Sequence, residues 1–464
     1  MTHTLSDWLA HIERQHSKSV DMGLERVREV SARLQLAKPA RHVITVAGTN
    51  GKGSTVAFIE SIARASGWRV GAYTSPHLLA YNERVRIDGR DATDADLIAA
   101  FEVVEAARLV TSHDPGAGRE KDPVPLTYFE FGTLAALWLF AQRDLDLAIL
   151  EVGLGGRLDA VNIVDADVAV ITTVDLDHQD YLGSDRESIG FEKAGIARAW
   201  KPLVLGEDDP PASVLRHAYA IGASAVRAGC DYFFEPMVRP FDPSTSPRLR
   251  AHHELSTNTW CWREVGCEME LPIPNLAAPV QLRNAAAAIA ALRALDVPIP
   301  TEAWREGIAD AQIAARVQRF VRNCVEIVVD VAHNPQAARA LSQWLREAPV
   351  AGRTLAVFAA LGDKDLDGIV AAVAGQIDAW YLAGLADAGL RGLAAQDFAA
   401  RMQANDARAG KTFETVASAL AAAQAVAVIG DRILVFGSFY TASDAMRELS
   451  AAGSSSPKGT SFGA

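Results

Sequence analysis

One stretch constrains the fold more than any other: Val43-Ile44-Thr45-Val46-Ala47-Gly48-Thr49-Asn50-Gly51-Lys52-Gly53-Ser54-Thr55. Its apolar, β-branched start reads as a buried strand that stops at a glycine-rich turn carrying one lysine. Ser54-Thr55-Val56-Ala57-Phe58-Ile59 then starts a helical pattern. Strand, glycine loop, lysine, hydroxyl and helix, in that order, make a phosphate cradle. The glycines let backbone N–H groups approach oxygens, the helix N-terminus adds positive potential, Lys52 reaches outer phosphates, and a hydroxyl can ligate Mg²⁺. The spacing is unusual. The common pattern has four residues between the first Gly and Gly-Lys, with Ser or Thr directly after the Lys. Here only Thr49 and Asn50 intervene, and Gly53 separates Lys52 from Ser54. A glycine-rich turn with a surface lysine is the competing reading, and the order of the elements weighs against it.

Polar residues recur at the ends of other apolar runs. Arg69 to Tyr73 reads as a short strand ending in Thr74-Ser75-Pro76-His77, with hydroxyls and an imidazole where open α/β sheets bind ligands; a bland turn fits equally well. Val85 to Arg90 reads as a hairpin-like piece, and Thr111 to Pro125 as a polar loop. Leu126-Thr127-Tyr128-Phe129-Glu130-Phe131 leads into an apolar helix expected over Gly132 to Gln142. Leu147 to Glu151 reads as a buried parallel strand ending in a carboxylate. A buried acid is costly unless it meets a cation, so Glu151 is either a Mg²⁺ ligand or a capping acid in the turn before Gly153. Val168 to Thr173 is another such strand. Beyond it His178, among Asp175, Asp177 and Asp180, is a metal or phosphate contact candidate or a surface histidine tied up by its neighbours. Ser188 to Ile196 opens a helix with Lys193 in a small, apolar setting. Composition favours snorkelling for that lysine, although a lysine that loses its proton can also form a carbamate with carbon dioxide.

At 464 residues the chain is long for one core, and two domains are expected. A net charge of −12 argues against a nucleic-acid surface. The cysteines Cys230, Cys261, Cys267 and Cys324 lack C-x-x-C spacing, which favours reduced thiols and a cytoplasmic setting. No signal peptide is apparent at Met1 to Ala10, and the most apolar run, Leu282 to Leu295, is too short and polar to span a bilayer. The first forty residues look helical on either side of a structural Gly23. From Lys201 to Pro279 the reading is poor, with prolines and aromatics suggesting added β-structure. Leu282 to Leu292 is a helix with Asn284 near its start. A second α/β unit begins near Arg316, with strands at Cys324 to Val329, Thr354 to Ala359, Ala379 to Leu382 and Ile433 to Phe436, and helices between them. Its first strand ends in Asp330-Val331-Ala332-His333-Asn334-Pro335. The fold class is therefore α/β: a P-loop-type parallel-sheet ATPase domain over 1–312, a smaller Rossmann-like α/β domain over 316–451, and a tail over 452–464 whose composition predicts disorder.

Taken together, these motifs resemble the Mur ligase superfamily and, within it, the folylpolyglutamate synthase/dihydrofolate synthase family. The resemblance runs through Ala47 to Ser54, Thr74 to Leu78, Thr127 to Glu130, Glu151 to Ala160, Asp177-His178, Glu192 to Ile196, Asn284 to Ala286, Asp330 to Pro335 and Gly437 to Tyr440. It implies that Asn50, Gly51, Lys52, Gly53 and Ser54 hold ATP phosphates. Ser75 and Glu151 would ligate one Mg²⁺ with Ser54 close by, and His178 a second. Lys193 would become carbamylated beside the second metal, reversing the reading from composition. Asn284, Arg316, Asp330 and His333 would contact the nucleotide. Gly23, Leu24, Glu25 and Arg26, then Pro76 and His77, then Thr127, Tyr128, Phe129 and Glu130, and finally Leu158, Asp159 and Ala160 would line the pterin side. The family's usual Gly before the nucleotide-binding Arg is Ala315 here, and Val331 replaces the Gly of Asp-Gly-Ala-His-Asn-Pro.

The implied reaction is ATP-dependent amide ligation of L-glutamate to dihydropteroate or folates through an acyl phosphate, catalysed by Lys52, Glu151, His178 and Lys193 in a cytoplasmic monomer. Mg²⁺ and ATP are required and K⁺ is allowed; neither nucleic acid nor membrane is a partner. Closure of the C-terminal domain would exclude water from the intermediate. The competing readings are a Mur-type ligase of cell-wall precursors, a P-loop ATPase or switch, and a catalytically dead binding module.

Overall fold

The computed structural model describes residues 3–18, 20–109, 123–237, 259–276 and 278–451. The expected disorder of 452–464, most of the polar loop at 111–125, and part of the poorly legible stretch at 201–279 lie outside those residues. The chain divides into two units, one of residues 1–275 with 281–312, the other of residues 276–280 with 313–464.

In the first unit the apolar runs become an eight-stranded sheet. Its strands are β1 (His42–Ala47), β2 (Val70–Tyr73), β3 (Val85–Ile87), β4 (Arg90–Asp91), β5 (Leu147–Glu151), β6 (Val168–Ile171), β7 (Pro202–Leu205) and β8 (Ser224–Arg227), in the order β4-β3-β2-β5-β1-β6-β7-β8. The strands from β2 to β8 pair in parallel, and β3 and β4 extend one edge antiparallel. Every residue of β5 is buried, as a strand covered on both faces requires. β1 lies between β5 and β6, with Val46 opposite both Glu151 and Val170. The chain leaves β1 towards β2 on one side and later reaches β6 on the other. The loop after β1 therefore opens at the reversal in strand order, where open α/β sheets bind ligands.

Local capping moved several expected boundaries. The apolar helix begins at Tyr128 rather than Gly132, because Thr127 and Glu130 form a capping box. The helix carrying Lys193 runs Arg186–Ala194, capped by Asp185, so Lys193 sits in its last turn. At the N-terminus the helices are Leu5–Glu13 and Glu25–Leu34, the latter starting after Leu24. The stretch after Lys201 yields β7, β8 and the small antiparallel sheet of β9 (Tyr232–Pro236), β10 (Thr259–Glu264) and β11 (Cys267–Pro272), together with an unanticipated helix, Ala212–Ile221. Trp262 anchors that small sheet: its indole stacks on Tyr232, and its N–H donates to the Ala286 carbonyl at 3.2 Å.

The second unit is a six-stranded sheet of β12 (Gln318–Arg322), β13 (Val325–Val329), β14 (Thr354–Phe358), β15 (Ala379–Ala383), β16 (Lys411–Phe413) and β17 (Arg432–Phe436), ordered β12-β13-β17-β14-β15-β16. All pairs are parallel except β12 with β13. Sequence reasoning missed β12 and β16, one an arginine-rich edge strand of alternating exposure and the other only three residues long. Phe358 stacks on Phe436 at 4.9 Å and packs against Trp380 and Phe398 to form the core. Ala315 adopts φ 54°, in the left-handed region where glycine is at ease and an alanine is strained by about 1–2 kcal/mol.

Candidate active site

The phosphate loop is braced by the neighbouring strand. Thr172 Oγ1 donates to the Asn50 carbonyl at 2.6 Å, Thr173 Oγ1 to the same carbonyl at 3.2 Å, and the Thr49 amide to the Thr173 carbonyl at 2.7 Å. Thr49 Oγ1 donates to the Asp175 carbonyl and accepts from the Asp175 amide, both at 3.0 Å. Gly51, at φ 89°, caps the helix Lys52–Ala65, and a Cβ there would come within 2.5 Å of Asn284 Oδ1. A Cβ on Gly48 would overlap Thr172 Oγ1. Both glycines are thus required by close approach. Lys52 folds back so that its Nζ donates to the carbonyls of Gly48 at 3.1 Å and Thr49 at 3.3 Å, a curled arrangement that phosphate oxygens could replace.

On the strand flanking β1 on its other side, Glu151 is buried at the end of β5 and accepts the Ser75 amide at 3.2 Å. Ser54 is buried in the first turn of the helix after the loop. One carboxylate and two hydroxyls are hard oxygen donors suited to Mg²⁺, which characteristically completes its octahedron with phosphate and water oxygens. Among the described residues no group of three or more His, Cys, Asp and Glu side chains is clustered as a metal cage. His178 has a left-handed backbone, φ 50°, with its amide held by Asp177 Oδ1 at 2.9 Å and its Nε2 4.0 Å from Asp177 Oδ2.

Lys193 is 3 % exposed. Burial, reinforced by the charge of Lys52, pulls its ammonium down to about 7, while Asp177 and Asp159 oppose that shift. The glycine loop fixes this turn: the Arg157 amide donates to the Glu192 carbonyl at 2.8 Å, and a Cβ on Gly156 would press on the carbonyls of Glu192 and Lys193. Asp159 receives the amides of Leu154 and Val161, yet burial raises its carboxyl to about 7. Lys52, Lys193, Asp159 and Asp177 therefore share one electrostatic environment, in which Lys193 is buried and does not snorkel as composition suggests.

The segments expected on the pterin side are held by one another as well. Arg26 pairs with Glu130 at 2.9 Å and Asp21 at 2.7 Å, tying the N-terminal segment to the capping box. A Cβ on Gly153 would meet the Phe129 ring, and Gly155 faces Met22 and Leu182. His77 accepts from Arg84 Nε at 2.8 Å. Glu83 binds the amides of Leu78, Leu79 and Ala80, each at 2.7 Å, and so shapes the loop that carries Pro76.

In the second unit, Asp330 is buried and accepts the amides of Val317 at 2.8 Å and Ala332 at 2.7 Å; burial still raises its carboxyl. Arg316 stacks over Phe439 at 5.3 Å, and the His333 ring lies 6.0 Å from the same ring. Sequence reasoning missed Thr172, Thr173, Asp21 and Arg84. The Thr172-Thr173 pair carried a usable signal, two hydroxyls at a strand's C-terminal end; the others lie outside any recognisable spacing.

Known proteins share this arrangement. Residues 46–292 match the Mur ligase middle domain, and residues 315–439 the Mur ligase glutamate ligase domain. The chain is 43% identical over 448 residues to the dihydrofolate synthase/folylpolyglutamate synthase of Escherichia coli, covering 96% of each chain. It is similar to the solved Escherichia coli enzyme in complex with DHPP and ADP, with a TM-score of 0.84 and 97% and 99% of the two chains covered. It is also similar, at TM-score 0.83, 42% identity and 97% and 98% coverage, to a bifunctional folylpolyglutamate synthase/dihydrofolate synthase solved with Mn, AMPPNP and L-glutamate bound. With both domain matches and identity of this extent, the chain belongs to the Mur ligase family, in its dihydrofolate synthase/folylpolyglutamate synthase branch.

Proposed function

We propose that the strand-end edge of the first unit activates a pterin-side carboxylate with ATP for attack by the amine of L-glutamate. As a family member the chain is an ATP-dependent carbon–nitrogen ligase that adds glutamate in folate metabolism. The observation that carries the assignment is Lys193: a buried lysine held near neutrality beside Lys52, Asp159 and Asp177, which a simple P-loop ATPase does not need.

Asn50, Gly51, Lys52, Gly53 and Ser54 receive the phosphates, with Asn284 against Gly51 and with Arg316, Asp330 and His333 as the second unit's nucleotide contacts. Ser54, Ser75 and Glu151 would hold one Mg²⁺ and His178 a second. Bound there, the metals supply positive charge for the transferring phosphoryl group. Lys193 carries a carbamate, giving this edge a second carboxylate. K⁺ is allowed by the same reading. Gly23, Leu24, Glu25, Arg26, Pro76, His77, Thr127, Tyr128, Phe129, Glu130, Leu158, Asp159 and Ala160 frame dihydropteroate or a folate. The protein works as a cytoplasmic monomer, its described cysteines all free.

In the first step a carboxylate oxygen of the pterin substrate forms a bond to the γ-phosphorus while the bridging oxygen leaves with ADP. Lys52 and the loop amides face the charge that spreads over the phosphoryl oxygens. In the second, the glutamate nitrogen bonds to the acyl carbon, phosphate leaves, and the nitrogen's proton is lost. Fixing the reactants in line supplies about 7–11 kcal/mol of effective concentration. The test is coupling: ADP release should require pterin substrate and glutamate together, and rapid release from ATP alone would favour an ATPase or switch. Supplying dihydropteroate and tetrahydrofolate separately distinguishes the two glutamate additions, and turnover of UDP-linked precursors would move the assignment to cell-wall ligation.

A further inference from the structure

Among the described residues Arg84 has no carboxylate as counter-ion. It is 9 % exposed, on the 3₁₀ turn Tyr81–Arg84 that precedes β3. Its Nε donates to His77 Nδ1 at 2.8 Å, and its guanidinium lies 5.4 Å from the Tyr81 ring centre and 5.7 Å from that of Tyr128. Among the described residues no carboxylate lies within ion-pair distance of it. The nearest acid in sequence, Glu83, spends its oxygens on three backbone amides, and Arg86, two residues on, has its own partner in Glu60 at 2.8 Å. The surrounding phenols cannot neutralise it. Burial pushes Tyr73 up to about 12 and Tyr81 well above its ordinary range, although Arg84 pulls both the other way.

A buried guanidinium with only neutral partners is expensive. Stacking on two aromatic rings returns less than desolvation of the charge costs. The bidentate fork that Nε leaves free is shaped for a carboxylate. The position also fits, since His77 and Tyr128 both belong to the pterin-side surface described above.

We propose that Arg84 binds a carboxylate of the pterin-side substrate, with Tyr81 and Tyr128 holding the guanidinium and His77 fixing its orientation. This rests on the ligase reading given under Proposed function. The carboxylate has two sources: the one that dihydropteroate presents for reaction, or the non-reacting α-carboxylate of a folate's glutamate.

The test is steady-state kinetics of the full chain and of Arg84→Met and Arg84→Lys, with dihydropteroate and tetrahydrofolate as alternative substrates at saturating ATP and glutamate. The expected result is a KM at least tenfold higher for tetrahydrofolate in both variants, with KM for ATP unchanged; Arg84→Lys keeps the charge and loses the fork. A matching rise with dihydropteroate assigns the reacting carboxylate, and its absence assigns the α-carboxylate. A folate α-carboxamide inhibitor separates binding from packing: its inhibition constant should be the same for the wild type and Arg84→Lys if the α-carboxylate is the ligand. Wild-type KM for both pterin substrates in Arg84→Lys would overturn the proposal. Wild-type protein that turns over neither substrate would instead overturn the ligase reading.

Discussion

Lys193 offers the sharpest test of the site. A carbamate forms when an uncharged amine nitrogen bonds to the carbon of CO₂ and releases a proton, so its yield follows the fraction of neutral amine. At the ordinary lysine value of 10.5, about one side chain in 3,000 is neutral at pH 7. With burial and Lys52 drawing the ammonium down to about 7, about half is neutral, a gain on the order of a thousandfold in reactive amine. The sign is fixed. Protonation takes over as pH falls through about 7, so carbamylation is lost on the acid side and saturates above it. Folding stability has the same slope, because between about 7 and 10.5 the unfolded chain holds a proton that the folded one has released. Keeping this amine buried therefore costs the folded state on the order of a few kcal/mol near neutrality. Lys193→Met should accordingly be at least as stable as the wild type, so that any loss of turnover cannot be ascribed to unfolding.

The assay is ADP formation in CO₂-depleted buffer, before and after bicarbonate, between pH 6 and 8.5, with ¹³C NMR of protein equilibrated with ¹³C-bicarbonate. The wild type should lose at least tenfold in turnover on depletion, recover with bicarbonate more completely as pH rises through about 7, and show a carbamate carbon signal missing from Lys193→Met. Wild-type-like turnover in Lys193→Ala would sink the assignment. So would an enzyme indifferent to CO₂ with no ¹³C signal.

Other outcomes follow from geometry. Lys52→Ala and Glu151→Ala should each lower ADP formation by about a thousandfold or more, the scale on which a positioned charge acts in phosphoryl transfer, with thermal stability near wild type. Gly48→Ala drives a Cβ into Thr172 Oγ1, so equilibrium titration with an ATP analogue should show binding weakened at least tenfold, and the overpacked loop should lower the melting temperature as well. In the second unit, Asp431 accepts the Arg353 side chain and amide, both at 2.7 Å, and the Val428 amide at 3.1 Å, which holds its carboxyl down to about 2. Its stabilising effect is therefore complete above about 4 and lost as pH falls through about 2. Denaturant unfolding of Asp431→Ala at pH 7 should show a loss of about 2–3 kcal/mol, and a variant as stable as wild type would remove the argument.

Legibility in the sequence followed the range of the interactions. β1, β5 and β6 were readable because buried parallel strands are continuous apolar runs, and Glu151 stood out as an acid where such a run ends. Helix starts were misplaced where a capping side chain reached forward to the amide three residues on, as Thr127 and Asp185 do. β12 was invisible because apolar Val321 takes an exposed position and Arg322 a half-buried one, and its place depends on pairing with β13. Lys193 shows the limit most clearly. The residues beside it favour a snorkelling lysine, and only the fold, which buries it beside Lys52, turns it into a near-neutral amine.

The short phosphate loop has a physical explanation of the same kind. With two residues fewer than the common pattern between its first glycine and Gly-Lys, it adds to the bonds from Lys52 to its own carbonyls a set of hydrogen bonds from the end of β6. Thr172 and Thr173 grip the Asn50 carbonyl, and Thr49 is matched to Asp175 by a donor and an acceptor. Asp175 lies three residues before His178, so the glycine loop is hydrogen-bonded to the segment that leads to the imidazole. The shortened loop therefore takes much of its rigidity from a neighbouring strand.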